Sequence, residues 1–524
     1  MIKKVLICLL IVLLASCSSV KKYNQQISTL HSPEQVRSDI DFAYHKLQRL
    51  HPDLYWYISK DSLDQKINEL KASVQQPISS LEFYKQFAPV VASIRQGHTA
   101  IYSPRTKQTR KEKKIRGKRS SPFRSLAFRG IDNKLFVNKI YGKDSTVVVG
   151  SELLSVDNEK TSDLLDSFQK LHTGDGYNTT FIPQYTSRGF GFLYTRTHQQ
   201  KDSVLMRLKT NDSVYSRYLY ANYSKEKKVL NKDTVVVPAV KISKSEKKII
   251  KKENKRLRKH YNKYGFDKYK KEYNRNFRFI ASDTAPSIVY MKIRRFTKGN
   301  YKDFYKESFS KIDSANCKNL VIDLRGNLGG RLAEIDELYS YLTNKKYVFI
   351  EKAKMTQRMS FLYPLFHSKS WLQKTGTTLL LPVLSVYQMF KVKKENGDPY
   401  FNFKYSRLRE PKPNSFDGKI YVLIDGESFS ASSILSTHLK ATKRATFVGK
   451  ETGGAYNGTI AGFFAIIELP NSKINMRVGL MKINAPHTIQ PDGFGIKPDV
   501  YIEKISKEKD NKMDWVIRDI QESN

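Results

Sequence analysis

Apolar positions recur along this chain in three successive patterns. From residue 32 to about residue 97 the spacing is helical. Val36, Ile40, Ala43, Leu47 and Leu50 share one face of a helix that Ser32-Pro33-Glu34-Gln35 opens with an N-cap, a proline in the first turn and a capping-box glutamine. A second helix carries Leu63, Ile67, Leu70 and Val74. A third begins at Ser79-Ser80-Leu81-Glu82, presents Phe83, Phe87, Val90, Val91 and Ile94, and is predicted to stop at Gly97. From Ser121 to about Ser224 the period shortens to that of strands, at 126–128, 135–137, 146–149 and 150–157, with a helix over 162–171. Beyond residue 283 buried strands at 288–293, 320–324 and 420–424 alternate with amphipathic helices marked by Tyr301, Phe304, Phe309 and Ile312 and by Leu332, Ile335, Leu338 and Leu342. The predicted class is a multidomain α+β protein with an α/β core.

Boundaries follow from the changes of period. A leader occupies 1–17, a helical domain 18–104, a basic linker 105–120, a β-rich domain 121–224, a basic insertion 225–282 and the α/β core 283–524, with 345–415 as an insertion in that core. The run from Gly150 to Asp157 with a helix behind it resembles the strand and helix of a PDZ domain, which takes peptide ends by adding a strand; a generic small β domain fits equally well. The leucine-rich segment 377–390, broken by Pro382, is too short to span a bilayer and reads as a lid, a membrane-facing patch or core.

Composition and charge bear on compartment and partners. Lys3 and Lys4 precede an apolar run from Val5 to Leu14 with no acidic residue, the layout of a secretory leader. It closes on Leu14-Ala15-Ser16-Cys17, which resembles the bacterial lipobox; this implies lipidation at Cys17, with Ser18 favouring the outer membrane facing the periplasm. An ordinary leader with an incidental cysteine is the alternative. Beyond the leader only Cys17 and Cys317 remain, so neither a disulfide framework nor a cysteine-rich metal site is available. The formal net charge is +42, concentrated in 105–119 and 225–278. In an exported protein these runs point to solvated insertions or to contact with anionic lipid or envelope polymers, and argue against nucleic acid.

Candidate chemistry centres on Ser430. The strand 420–424 runs into Gly426-Glu427-Ser428-Phe429-Ser430-Ala431-Ser432 and then a helix, which sets a serine hydroxyl at a strand-to-helix corner beside free backbone amides. A plain N-cap is the competing reading of that serine. Glycines of Arg325-Gly326-Asn327-Leu328-Gly329-Gly330 allow close backbone approach, so Gly329 or Gly330 is expected to supply one oxyanion donor and Ala431 the other. Neither phosphate-loop glycine pattern is present. His98, at the junction of a helix and a short strand, is placed to face a cleft, or is a structural histidine.

Asp323 to Gly330, Ser430-Ala431-Ser432, Gly449 to Gly454 and Gly495-Ile496-Lys497-Pro498-Asp499 together resemble the tail-specific protease family, which includes the carboxyl-terminal processing proteases and the tricorn core protease. The region ending in Gly97-His98-Thr99 is similar to the amino-terminal bundle of the tricorn-like branch. The processing proteases place a catalytic lysine where this chain has Ala455. The resemblance therefore implies the tricorn-like arrangement: Ser430 as nucleophile, His98 as base, Asp492 as the carboxylate that orients His98, and Asp499 as runner-up for that last role. Gln96, Gly97 and Ser433 depart from the family pattern around these residues.

The expected activity is that of a lipid-anchored serine peptidase of the bacterial envelope, acting on unstructured or carboxyl-terminal segments of peptide or protein substrates. No metal or cofactor is implied. A peptide- or polymer-binding scaffold and a non-peptide ester or amide hydrolase are the alternatives.

Overall fold

The computed structural model describes residues 20–141, 146–211, 213–224, 243–268, 270–280, 288–366, 376–377, 379–503 and 510–523. Cys17 and the leader lie outside them. The class is mixed α/β, as the change of period implies.

Amino-terminal helices form where the pattern placed them. In Pro33–Leu50 the Ser32 hydroxyl accepts the Gln35 N–H, and the Gln35 side chain reciprocates to the Ser32 amide. Its apolar stripe packs against those of Lys60–Ser73 and Ser80–Ala92. The third helix ends at Ala92, five residues short of the expected stop at Gly97, because Arg95 takes a positive φ of 56° and turns the chain out of the helix. Gly97 and His98 therefore lie in a loop that leads into the strand Ala100–Tyr102.

Residues 126–220 form an antiparallel sheet in the order Leu126–Ile131, Lys134–Ile140, Glu152–Val156, Ser203–Thr210, Ser213–Tyr220, with Thr161–Gln169, Phe181–Arg188 and Phe190–Thr197 as helices. The strand expected over 146–149 is instead a turn in which Val148 and Val149 are about half exposed. With no sheet face to cover them, a valine-rich run gains nothing from pairing.

The carboxyl-terminal half is built on a six-stranded sheet. Its order is Arg275–Ile280, Ile288–Ile293, Asn319–Asp323, Lys419–Ile424, Thr446–Gly449, Val500–Tyr501. The first pair is antiparallel and the others parallel. Two boundaries differ from the sequence reading. Arg275–Ile280, expected within the basic insertion, is an edge strand of this sheet, and Arg275 is fully buried in an ion pair with Glu334. Phe349, Ile350, Met355, Phe401 and Tyr405, from the expected 345–415 insertion, belong to the same hydrophobic core as the sheet.

A second, three-stranded antiparallel sheet joins the two ends of the chain. Ala100–Tyr102 pairs with Asn475–Ile483, which pairs with Thr459–Glu468. One continuous core runs from the amino-terminal helices through the β-rich unit into these two late strands. The loop that holds His98 is thus fixed by a strand more than 370 residues further on. Among the described residues no helix is long and apolar enough to cross a membrane, and no cluster of three or more His, Cys, Asp or Glu residues has metal-binding geometry.

Candidate active site

Ser430 stands at the corner between the strand Lys419–Ile424 and the helix Ala431–Ala441. Its backbone has φ 58° and ψ −117°, a conformation that non-glycine residues avoid, and its side chain makes no capping hydrogen bond. Ser430 thus holds the N-cap position without its hydroxyl capping the helix. What the strained corner does is lift the hydroxyl off the helix and present it to His98, whose Nε2 lies 2.9 Å from Ser430 Oγ.

Three contacts fix the histidine. Its ring lies between Phe429 and Phe464, at centroid distances of 5.1 and 5.4 Å. Arg477 donates its Nε–H to the His98 carbonyl at 2.8 Å, and Asp175 accepts the N–H of the preceding Gly97 at 2.8 Å. Gly97 also permits the approach of the Phe429 ring, since a Cβ there would sit 2.6 Å from it. Burial first, and the charge of Arg477 second, push His98 down to about 3. The imidazole is therefore neutral at neutral pH, the state in which it can accept a proton.

Asp492 does not orient this histidine. One of its oxygens accepts the indole N–H of Trp56 at 2.7 Å, and the other bonds the Gly493 amide. The turn around Pro491 and Gly493 packs on Tyr57 and Tyr177, which aims the carboxylate at Trp56. Asp499 is occupied elsewhere, by an ion pair with Lys440 and a hydrogen bond from the Phe447 amide. Among the described residues no carboxylate contacts the His98 ring.

The acidic group that does reach the histidine loop is Asp175, which sequence reasoning missed. It is 1 % exposed, its Oδ1 accepts the Gly97 N–H, and the Thr459 side chain and Ala455 backbone lie close to the same carboxyl. Burial pushes its carboxyl up to about 7. Asp175 lies in Thr173-Gly174-Asp175-Gly176, and this loop is tied by backbone bonds to both halves of the site: Asp175 N to Gly453 O, Gly176 N to Arg95 O and Tyr177 N to Gly493 O. The signal available in the sequence was an aspartate between two glycines, a common turn with no chemistry of its own.

Asn327 is the second residue missed. Fully buried, it donates to Ile293 O, and its backbone carbonyl accepts from Phe429 N and Ser432 Oγ. Its Oδ1 accepts the Gly329 N–H at 2.9 Å. Gly329 is consequently not a free oxyanion donor, which corrects the expectation for that residue. Its part is steric: a Cβ at Gly329, where φ is 87°, would lie 2.6 Å from Phe429 O and 2.7 Å from Ala431 N. The amides of Gly330 and Ala431 have no hydrogen-bond partner among the described residues and remain available. Ala455, where the processing proteases carry lysine, is buried, and no lysine bonds Ser430.

Two further motifs brace this arrangement. Glu451 accepts the Gly495 amide at 2.7 Å and Thr452 accepts that of Ile496 at 2.8 Å, clasping 449–454 to 495–499. Below the glycine-rich loop, Asp323 is held well under the usual carboxylate range by Lys292 and by Arg325, which also forks onto Asp510.

Residues 287–502 match the model of Peptidase family S41. Over 225 residues the chain is 25 % identical to a carboxy-terminal-processing protease of Bartonella bacilliformis, a match that spans 42 % of this chain and 40 % of that relative's length. The fold is similar to the crystal structure of mature CPAF, with a TM-score of 0.56 at 14 % identity, covering 90 % of this chain and 92 % of that one. The crystal structure of mature CPAF complexed with lactacystin gives the same TM-score and identity, covering 90 % and 94 %.

Proposed function

We propose, from the match of residues 287–502 to Peptidase family S41, that the chain is a serine peptidase whose working pair is Ser430 and His98. The observation that carries this reading is the 2.9 Å contact between His98 Nε2 and Ser430 Oγ, made across 332 residues. His98 takes the hydroxyl proton as Ser430 attacks the scissile carbonyl, the amides of Ala431 and Gly330 receive the developing oxyanion, and His98 then protonates the leaving amine. Water and His98 reverse the sequence to release the acyl group. Asp175 keeps the histidine loop in register through Gly97 rather than bonding the ring. Unstructured or carboxyl-terminal segments are the proposed substrates, and the 126–220 sheet, read as PDZ-like, is the proposed holder of the chain end.

A fluorophosphonate probe tests the pair. Labelling of the wild type that vanishes in Ser430→Ala, together with cleavage of an unstructured peptide, supports a peptidase. Labelling without peptide cleavage favours a non-peptide ester or amide hydrolase, and no labelling and no cleavage favours a peptide-binding scaffold.

We further propose that Cys17 carries a lipid that holds the protein on the outer membrane facing the periplasm, a reading that rests on Lys3, Lys4, the apolar run from Val5 and Leu14-Ala15-Ser16-Cys17. Radiolabelled palmitate incorporated by the wild type and lost in Cys17→Ser is the expected result. The basic helix Lys244–Tyr264, which buries no residue, is the proposed contact for anionic lipid or polymer.

A further inference from the structure

Most of the segment 377–390 lies in the helix Leu381–Lys391, and that helix is not core: none of its residues is buried. Leu379, Leu380, Val383, Val386, Met389 and Phe390 are each more than half exposed, and 379, 383, 386 and 390 follow one another at helical spacing along one stripe. Six adjacent large side chains in water make a patch far beyond the scattered apolar residues of an ordinary surface. Leu384 and the Tyr387 ring lean on the core beneath.

What covers this patch is indicated by charge. From Lys352 to Lys394 the chain has eight lysines and arginines and no acidic residue. Lys352 and Lys354 are paired with Glu395 and Asp398, whereas Lys393 and Lys394, directly after the helix, are exposed and form no ion pair among the described residues. An apolar surface edged by unpaired cations complements an anionic bilayer, which offers acyl chains beneath a negative plane. At about 1.5 Å per residue the eleven-residue helix is about 16 Å long, roughly half the hydrocarbon thickness, so it would lie in the interface and not cross it.

We propose that the helix Leu381–Lys391 seats in the interface of an anionic bilayer, with Lys393 and Lys394 on the headgroups. The position has a consequence for the active site. Tyr387 is 6.2 Å from Phe361, Phe361 is 6.1 Å from Phe463, and the neighbouring Phe464 packs on His98. These ring contacts link the seated helix to the strand Thr459–Glu468, which sets Phe464 against His98.

The test places an environment-sensitive NBD label at Met389→Cys in the full chain carrying Cys8→Ser and Cys17→Ser; Cys317 is buried and stays unlabelled. It depends on neither catalysis nor the lipid anchor, so failure of those readings leaves it intact. On vesicles of phosphatidylethanolamine and phosphatidylglycerol the label is expected to shift by about 10 nm to the blue and to be quenched by nitroxides in the acyl region, while the same label at Leu257→Cys, on the basic helix, is not quenched. Val386→Asp with Phe390→Asp, on the exposed stripe, should weaken vesicle binding at least about tenfold with an unchanged circular dichroism spectrum. A label at 389 that stays water-like while the protein is on the vesicle overturns the proposal. So does a blue shift that appears without vesicles and grows with protein concentration, which would mean a second copy covers the helix, or one that appears only with an added apolar peptide, which would make the patch part of the substrate groove.

Discussion

Asp492 accepts the indole N–H of Trp56 at 2.7 Å, and among the described residues no carboxylate meets the His98 ring. A Ser-His-Asp triad built on Asp492 would lose about four orders of magnitude in kcat on conversion to Asn, because the histidine would adopt the wrong tautomer. Here Asp492→Asn is expected to change kcat by no more than about threefold, with any loss appearing as about 1 kcal/mol of stability from the 490–493 turn. Steady-state kinetics and urea unfolding of the one variant decide between the two.

Asp175 should behave in the opposite way. Asp175→Ala removes the acceptor for Gly97 N–H, frees the histidine loop, and is expected to lower kcat by about a hundredfold, since small misplacements of a catalytic group are costly. Asp175→Asn keeps an acceptor oxygen and should retain most of that activity. Its stability effect has a defined sign. A carboxyl whose folded pKa is raised to about 7 favours folding when protonated, a contribution lost as pH rises from the unfolded value near 4 to about 7. The Asn variant should therefore gain on the wild type between about pH 4 and pH 7 in denaturant titrations.

For His98 the shift runs downward. Its neutral form is favoured in the folded state, so the stability it contributes is present above the unfolded value near 6.5 and is lost as pH falls toward about 3. The same shift means that kcat/KM should show no imidazole limb between about pH 7 and pH 5. Arg477→Gln removes the adjacent charge and should bring an acid limb up toward that range, whereas Arg477→Lys should not.

Ser430 carries backbone strain that its replacements should report. Ser430→Ala and Ser430→Gly both lose the nucleophile and should lower turnover by at least about a thousandfold. Glycine alone accepts φ 58° and ψ −117° without strain, so the Gly variant is expected to be more stable than the Ala variant by about 1 kcal/mol in urea unfolding.

The Arg275–Glu334 pair, both members at 0 % exposure, gives a prediction about the fold itself. Arg275→Ala leaves a buried carboxylate with no counter-charge and should cost about 3–5 kcal/mol. Arg275→Met with Glu334→Leu removes both charges and should lie much nearer the wild type, as chemical denaturation can show.

The sequence carried the amino-terminal helices almost whole, because Val36, Ile40, Ala43 and Leu47 repeat at helical spacing behind a capping box. Ser430 stood out by its strand-to-helix corner and His98 by its helix-to-strand junction, while their pairing was implied by the resemblance to the tail-specific proteases. The rest depended on which segments meet in space. Asp175 matters only because its loop reaches Gly97, Gly453 and Gly493 at once, and no local pattern encodes that meeting. Asp492 was implied by the resemblance to the tricorn-like pattern, which is silent about Trp56, 436 residues away. Arg275 looked like one more cation in a basic run until Glu334 buried it.

The pairing of Ala100–Tyr102 with Asn475–Ile483 also sets an order in time. The base leaves the ribosome 332 residues ahead of the nucleophile, an interval of roughly twenty seconds to a minute at ordinary rates of synthesis. The strand that fixes the base against its partner is later still. Through most of its production a nascent chain therefore carries His98 without Ser430, and the two can meet only when the last sheet closes. Until then incompleteness itself keeps the proposed pair apart.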